Sequence, residues 1–523
     1  MTYLEWLDRF SVLSTEARAE LRREISAQTD QPLISIILPV YNGDLGFLEK
    51  AITSVRRQIY PNWEICLADD ASTDSRIRPF LEDVAGGDPQ IHVLFRESNG
   101  HISACSNSAL SLAHGEWCAL LDQDDELAED ALAEVAREIL RNPDAGLIYS
   151  DEDFLDAQGL RSNPFFKPDW NPELFRAQNY LNHLGVYRTS LLREVGGFRE
   201  GFEGSQDYDL ALRCVARLQP EQIRHIPRLL YHWRMVEGSL AEKPDAKPYA
   251  REAARHALNS YLDAAGIAAR AEACPENPES HRVVYRAPSP PPKVSILATA
   301  PESFSALQID YPALEIISAE PGAVGANAAA ERAEGEVLIF SNRAIEAAEP
   351  GWLLELVSQV LRPEVGAVGA RLWSRQDLME DGGLILGLGG IAAPAFRGLP
   401  RGHPGYFNRA WLQQNLSAVS GACLAVRRDV FQDLGGFAAS QLPQHYYDID
   451  FCLRLRAKAL QVVWTPSADL TLGQPEENEV TPSASEANYL QERWTDLLKS
   501  DPAYSPNLSL DLPGFMVAIP PRR

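Results

Sequence analysis

Short apolar runs alternate along the chain with stretches of helical spacing. Residues 1–24 set Leu, Trp and Phe at helical spacing among charged residues, which predicts an N-terminal helical segment over 1–32. Leu33-Ile34-Ser35-Ile36-Ile37-Leu38, closed by Pro39, has the form of a buried parallel strand. Residues 48–58 have helical periodicity, and 63–68 form a second strand that runs into Asp69-Asp70. A third strand is expected at 91–95 and a helix at 103–113 that stops before Gly115. A fourth strand, 116–121, runs into Asp122-Gln123-Asp124-Asp125. Strands alternating with helices predict an α/β fold with a mostly parallel central sheet flanked by helices. Ligands bind such sheets beyond the carboxyl ends of the strands, where both acidic clusters fall.

The pattern then repeats. Ala287-Pro288-Ser289-Pro290-Pro291-Pro292 marks a stiff linker over 286–292. Directly after it, Lys293-Val294-Ser295-Ile296-Leu297 echoes Leu33-Ile34-Ser35-Ile36-Ile37. Tyr60-Pro61-Asn62-Trp63-Glu64-Ile65 matches Tyr311-Pro312-Ala313-Leu314-Glu315-Ile316, and Asn107 and Asn327 precede Gly115-Glu116 and Gly335-Glu336 by the same interval. Val195-Gly196-Gly197-Phe198 matches Leu434-Gly435-Gly436-Phe437, and Asp207-Tyr208-Asp209 with Arg213 matches Asp448-Ile449-Asp450 with Arg454. Matches in one order predict two copies of one domain, 33–285 and 293–500, followed by an extended surface tail, 501–523.

Composition narrows the function. The 523 residues have room for roughly three average domains or two large ones, and 45% hydrophobic with 23% charged residues is ordinary globular usage. A formal charge of −25 argues against a nucleic-acid partner. The seven cysteines show no CxxC spacing, which argues against a zinc ribbon or disulfide framework and for a reducing compartment. No segment has the form of a signal peptide or of a spanning helix, so a cytoplasmic protein is expected.

Four features carry candidate chemistry. Three carboxylates in Asp122-Gln123-Asp124-Asp125 repel one another unless a divalent cation joins them, and hard cations prefer oxygen ligands. Alone, such a cluster is more often a solvated loop before a helix, but its place after an apolar strand of an α/β repeat favours the cation. Asp69-Asp70 could accept hydrogen bonds from a base or ribose, or could be part of a helix cap. Asp207 stands before an amphipathic helix, as a base or as a capping residue. His232, between Tyr231 and Trp233, is a ligand or a packed structural residue.

Pro39-Val40-Tyr41-Asn42, Asp69-Asp70-Ala71-Ser72-Thr73-Asp74, Asp122-Gln123-Asp124-Asp125 and Gln206-Asp207-Tyr208-Asp209-Leu210 together resemble the family 2 inverting glycosyltransferases of the GT-A fold. The resemblance covers roughly residues 33–240. Tyr149-Ser150-Asp151-Glu152-Asp153, Phe166-Lys167-Pro168-Asp169-Trp170 and Tyr231-His232-Trp233-Arg234 extend it toward bacterial tandem-domain enzymes of O-antigen, capsule and rhamnan synthesis. It implies two tandem GT-A-like domains. Pro39, Tyr41, Asn42, Asp69, Asp70, Asn107, Asp122 and Gln123 would bind the nucleotide sugar. Asp122, Asp124, Asp125 and His232 would hold Mn²⁺ or Mg²⁺, and Asp207 would be the catalytic base. The implied partners are a UDP-, dTDP- or GDP-linked donor and a glycan acceptor, lipid-linked by preference, with flagellin-type protein as the alternative. The implied location is the cytoplasm, peripheral at the inner face of the membrane.

The second copy has lost the acids. Alignment of Gly335 with Gly115 sets Asn342, Arg343, Ala344 and Ile345 against Asp122 to Asp125. Asp448 survives at the position of Asp207 and is expected to be structural. The second copy is then a scaffold, an acceptor-binding module or an oligomer element. A sugar-nucleotide pyrophosphorylase would need a Gly-rich loop after the first strand, where Pro39-Val40-Tyr41-Asn42-Gly43-Asp44 stands instead. A tandem carbohydrate-binding module would not need the intact acidic set of the first copy.

Overall fold

The computed structural model describes residues 1–235, 248–474 and 483–523. The chain divides into two compact units: 1–170 with 179–267 and 523, and 171–178 with 268–522.

The first unit opens with helices α1 (Tyr3–Phe10) and α2 (Thr15–Ala27). They belong to its body: Trp6 is buried against Phe166 with ring centroids 5.4 Å apart, and Leu21 and Ile25 enter the core. The remaining order is β1 (Ile34–Val40), α3 (Leu45–Arg56), β2 (Trp63–Asp69), α4 (Ile77–Gly86), β3 (Ile91–Phe95), α5 (His101–Ser111), β4 (Trp117–Leu120), β5 (Glu126–Leu127), α6 (Ala131–Arg141), β6 (Leu147–Leu155) and β7 (Arg161–Phe165). After α7 (Pro172–Ala177), counted with the second unit, come β8 (Gly185–Arg188), α8 (Thr189–Glu194), α9 (Gln206–Val215), β9 (Ile223–Arg234) and α10 (Pro248–Ala264).

The sheet runs β3-β2-β1-β4-β8-β6-β9-β5, with β7 paired to β6. The four strands foreseen in the sequence form its parallel half, β3-β2-β1-β4, and Ile34, Ile36, Leu38 and Val40 of β1 are buried there. The sheet as a whole is mixed rather than mostly parallel. β8 enters antiparallel between β4 and β6, because the chain lays β6 down first and returns to fill the gap. β6 and β9 then pair parallel.

The second unit holds the hairpin β10 (Ala269–Ala273) and β11 (His281–Tyr285), then β12 (Val294–Ala298), β13 (Leu314–Ser318), β14 (Val337–Ser341), β15 (Ile345–Ala348), β16 (Val365–Trp373), β17 (Met379–Asp381), β18 (Leu384–Leu386), β19 (Ala392–Pro394), β20 (Gln414–Asn415), β21 (Leu424–Arg427) and β22 (Gln461–Leu472). Its sheet order, β13-β12-β14-β21-β16-β22-β15, is that of β2-β1-β4-β8-β6-β9-β5. Among the described residues no strand of the second unit corresponds to β3.

Three boundaries differ from those expected. The second unit begins at 268 rather than after the Pro-rich stretch, because the hairpin packs there: Arg282 pairs with Glu355 at 2.9 Å and the Arg362 guanidinium lies 4.2 Å from the Tyr285 ring centroid. Residues 171–178 lie inside the first copy in sequence, yet the Asn171 side chain donates to the Asn415 carbonyl and accepts from Asn415 N, both at 2.8 Å, and buried Glu173 pairs with Arg362 at 2.8 Å. The segment 501–522 is not a surface tail. Tyr504, Asn507 and Leu508 are buried, and Asp501 accepts from Leu386 N at 2.8 Å and Ser417 Oγ at 2.5 Å.

Candidate active site

A cavity of about 670 Å³ opens at the carboxyl ends of the parallel strands of the first unit. Of the residues singled out in the sequence, Pro39, Tyr41, Asp70, Asp122, Gln123, Asp124 and Asp207 line it. They come from four separate places in the chain: the ends of β1, β2 and β4 and the start of α9. Tyr41 follows β1 and is tied to the loop after β4, its backbone N donating to Gln123 Oε1 at 3.1 Å. Asp70 follows β2; its carboxylate lies 2.8 Å from Arg96 and accepts from Gly100 N at 3.0 Å, which fixes it against the start of α5.

Asp207 sits in the first turn of α9, where the helix dipole favours a carboxylate. It accepts a hydrogen bond from Asn179 Nδ2 at 3.0 Å and another from Asn182 Nδ2. Burial raises its pKa; the nearby His183 charge, the backbone amides of the turn and Asn179 oppose that rise. A carboxylate kept available but made more basic by burial suits a general base.

Sequence reasoning missed His183. It lines the cavity, its ring stacks on Tyr231 with centroids 4.6 Å apart, and Nδ1 lies 3.2 Å from Glu152 Oε2. Burial opposes its charge, but Glu152, with Asp122 and Asp125, pushes its pKa up to about 9. It is cationic at neutral pH. Buried Lys167 holds this loop by donating to the carbonyls of Asn182 (2.7 Å) and His183 (2.9 Å). A signal existed. β8 and β21 pair with β4 and β14 through Arg188 and Arg427, and carrying that register back sets Asn179, Asn182 and His183 against Ala418, Gly421 and Ala422. The polar residues stand only in the copy that keeps the acids.

Five predicted residues lie off the cavity. Asp69 points the other way and receives Ser72 N at 3.3 Å. Asn42 braces the next loop, its Oδ1 accepting from Thr73 N at 2.8 Å and Asp74 N at 3.0 Å. Asn107 clamps the backbone of Phe198 through two 2.8 Å bonds, and Asn327 clamps Phe437 in the same way at 2.9 Å, so the residue serves the fold in both copies. Asp125 is 1% exposed, with Tyr231 Oη donating to it at 2.5 Å and Arg234 N at 2.7 Å. Burial, then Asp124 and Asp122, push its pKa well up. His232 turns away, pairs with Asp153 at 2.7 Å and faces a separate groove of about 1340 Å³. Of the four residues expected to hold a metal, Asp122 and Asp124 line the cavity.

In the second unit, Asp448 accepts from Gly421 N at 2.7 Å and Ile449 N at 2.9 Å. The backbone amide of Gly421 replaces the side-chain amide of Asn182. The neighbouring pair is unchanged: Arg213 bonds Asp209 and the carbonyls of Val195 and Gly197, as Arg454 bonds Asp450 and those of Leu434 and Gly436.

Fold and site define an α/β domain that gathers carboxylates at the carboxyl edge of its parallel strands, beside an aspartate on a helix N-terminus. Residues 35–196 match the family model of glycosyl transferase family 2. The chain is 40% identical to the protein y4gI of Sinorhizobium fredii over 94% of its own length and 59% of that protein. It is 35% identical to the O-antigen biosynthesis protein RfbC of Myxococcus xanthus over 94% of its own length and 42% of that protein. The chain therefore spans about half the length of these relatives. The crystal structure of S. aureus TarS 1–349 aligns with 44% of this chain and 72% of that one, at 18% identity and a TM-score of 0.34. Among the described residues no helix is long and apolar enough to cross a membrane.

Proposed function

We propose that the first unit is an inverting glycosyltransferase that moves a sugar from a nucleotide-sugar donor to a hydroxyl of a glycan acceptor in surface-polysaccharide assembly. One observation carries this reading: Asp207 shares a single cavity with Asp70, Asp122 and Asp124. Pro39, Tyr41, Asp70 and Gln123 would receive the nucleoside. Asp207 would take the proton of the attacking hydroxyl, a role worth about 10²–10⁴-fold. One in-line displacement then inverts the anomeric centre, with no second carboxylate needed as nucleophile. Cationic His183 would draw the diphosphate inward and favour its departure.

The donor set suits a hard divalent cation. Asp122 and Asp124 offer oxygen ligands, and among the described residues the lining carries the carboxylates of Asp70, Asp122, Asp124, Glu152, Glu203 and Asp207 without a Lys or Arg. Mn²⁺ or Mg²⁺ held there would stabilise the charge that develops on the leaving diphosphate. The second unit, without these acids, would not catalyse. Seven unpaired, buried cysteines support a reducing compartment, so we place the protein in the cytoplasm, working on a lipid-linked acceptor at the membrane face.

The test is hydrolysis of UDP-, dTDP- and GDP-sugars by the full chain. One donor should be hydrolysed, and both Asp207→Asn and EDTA should abolish the reaction. Turnover that persists in Asp207→Asn, or in the Asp124→Ala/Asp207→Ala double variant, overturns the assignment.

A further inference from the structure

At the opposite end of β2 from the cavity, three side chains from separate elements converge. Glu64 is the second residue of β2, His92 the second of β3 on the same face, and His114 precedes β4. Glu64 Oε2 lies 3.3 Å from His92 Nε2 and 3.1 Å from His114 Nδ1. All three atoms fall within 4.8 Å of one another, and among the described residues this is the group of His, Cys, Asp and Glu drawn together tightly enough to share an ion. The imidazoles meet edge-on, with centroids 5.7 Å apart and planes at 67°.

Glu64 is held in place by its other oxygen. Oε1 accepts from Ser35 Oγ (2.6 Å), His114 N (2.6 Å) and Gly115 N (3.0 Å). Gly115 leaves room for this: a Cβ there would lie 2.5 Å from the Leu33 carbonyl oxygen and 2.6 Å from Ser35 Oγ. The second unit repeats the arrangement. Glu315 Oε1 accepts from Ser295 Oγ (2.5 Å), Glu334 N (2.8 Å) and Gly335 N (3.2 Å). There the second oxygen is matched by a permanent cation, Lys293 Nζ, at 3.0 Å. In the first unit Leu33 stands at the Lys293 position and two imidazoles converge instead.

An ammonium supplies charge alone, whereas neutral imidazoles supply lone pairs aimed at a metal. Tetrahedral zinc with N and O ligands at 2.0–2.2 Å sets neighbouring ligand atoms about 3.3 Å apart, the spacing of both Glu64 contacts. We propose that Glu64, His92 and His114 bind a zinc-type divalent cation, with a fourth position open to solvent beside exposed His114. The ion would staple β2, β3 and the turn before β4 together. It is distinct from the hard-cation site at Asp122 and Asp124, and does not depend on the donor-site reading.

Zinc is titrated by calorimetry into untagged, metal-stripped full-length protein, and cobalt is added as a spectroscopic probe. The expected result is one zinc site that raises Tm by about 5–10 °C at a hundredfold excess over Kd, with the visible bands of tetrahedral cobalt. In His92→Ala/His114→Ala the affinity should fall at least 100-fold while donor hydrolysis in Mn²⁺ is unchanged. The site should survive Asp122→Asn/Asp124→Asn. These histidines are partly exposed, so the double variant should fold; Glu64 is left intact because Oε1 holds the Gly115 turn. Absence of zinc binding at 100-fold molar excess, equal binding in the histidine variant, or loss only in the aspartate variant overturns the proposal.

Discussion

Replacing Asn182 with Ala should move the pH dependence of the enzyme without moving its maximum. Asn182 Nδ2 and Asn179 Nδ2 both donate to Asp207, and such bonds favour its ionised form. A hydrogen bond to a charged group contributes about 1.5–3 kcal/mol, and about 1.4 kcal/mol corresponds to one pKa unit. With the Asn179 bond intact, loss of the Asn182 bond should raise the Asp207 pKa further above its already burial-raised value. The assay is kcat/KM for the transferred donor across pH, whose acidic limb reports the base in the free enzyme. That limb should shift upward, so the rate on it falls about 10–100-fold, while the plateau stays within about threefold. The fold should tolerate the change, because the second unit carries Gly421 at this position. A limb that stays in place while the plateau drops would refute the reasoning and make Asn182 a substrate contact.

Asp122→Asn and Asp124→Asn should each abolish Mn²⁺-dependent nucleotide binding in calorimetry with little change in Tm, whereas Asp125→Asn should keep that binding and lose about 1–3 kcal/mol of stability, because the Tyr231 and Arg234 bonds are disturbed. His183→Gln should raise the KM for the donor at pH 7 and have little effect above pH about 9, where wild-type His183 is itself neutral. The sign for stability follows: a raised histidine pKa stabilises fully below its unfolded value near 6.5, and that contribution fades as pH rises through about 9, so the Tm gap between wild type and variant should narrow across that window. Asn107→Ala and Asn327→Ala should each cost about 1–3 kcal/mol in denaturant unfolding by orphaning two backbone groups, and Asn327→Ala should leave donor hydrolysis unchanged.

The parallel half of the first sheet, its helices and the internal repeat were legible in the chain because each depends on local spacing. β1 is buried along its length because its residues are apolar on both faces, and the paired Asn107 and Asn327 mark equivalent turns because the backbones of Phe198 and Phe437 need the same clamp. The motif acids were legible as clusters, but not their directions. Asp69 and Asp70 are adjacent, yet one caps its own loop and the other meets Arg96 and the cavity. The Asp125 carboxylate is taken up by Tyr231 Oη and Arg234 N, which reach it from β9.

The chain by itself determined which segments become strands and helices, where acids gather at strand ends, and that one copy kept those acids while the other lost them. Periodicity and residue chemistry act over a few positions, and no neighbour far along the chain is needed for them. Only the tertiary structure decided that the sheet is mixed, that α7 and the residues after 500 pack into the second unit, and that His183 and Asn182 complete the cavity of Asp207. Those outcomes depend on which strand fills a gap and which side chain satisfies a buried charge. Both are settled by packing between residues remote in sequence, where local spacing carries no information.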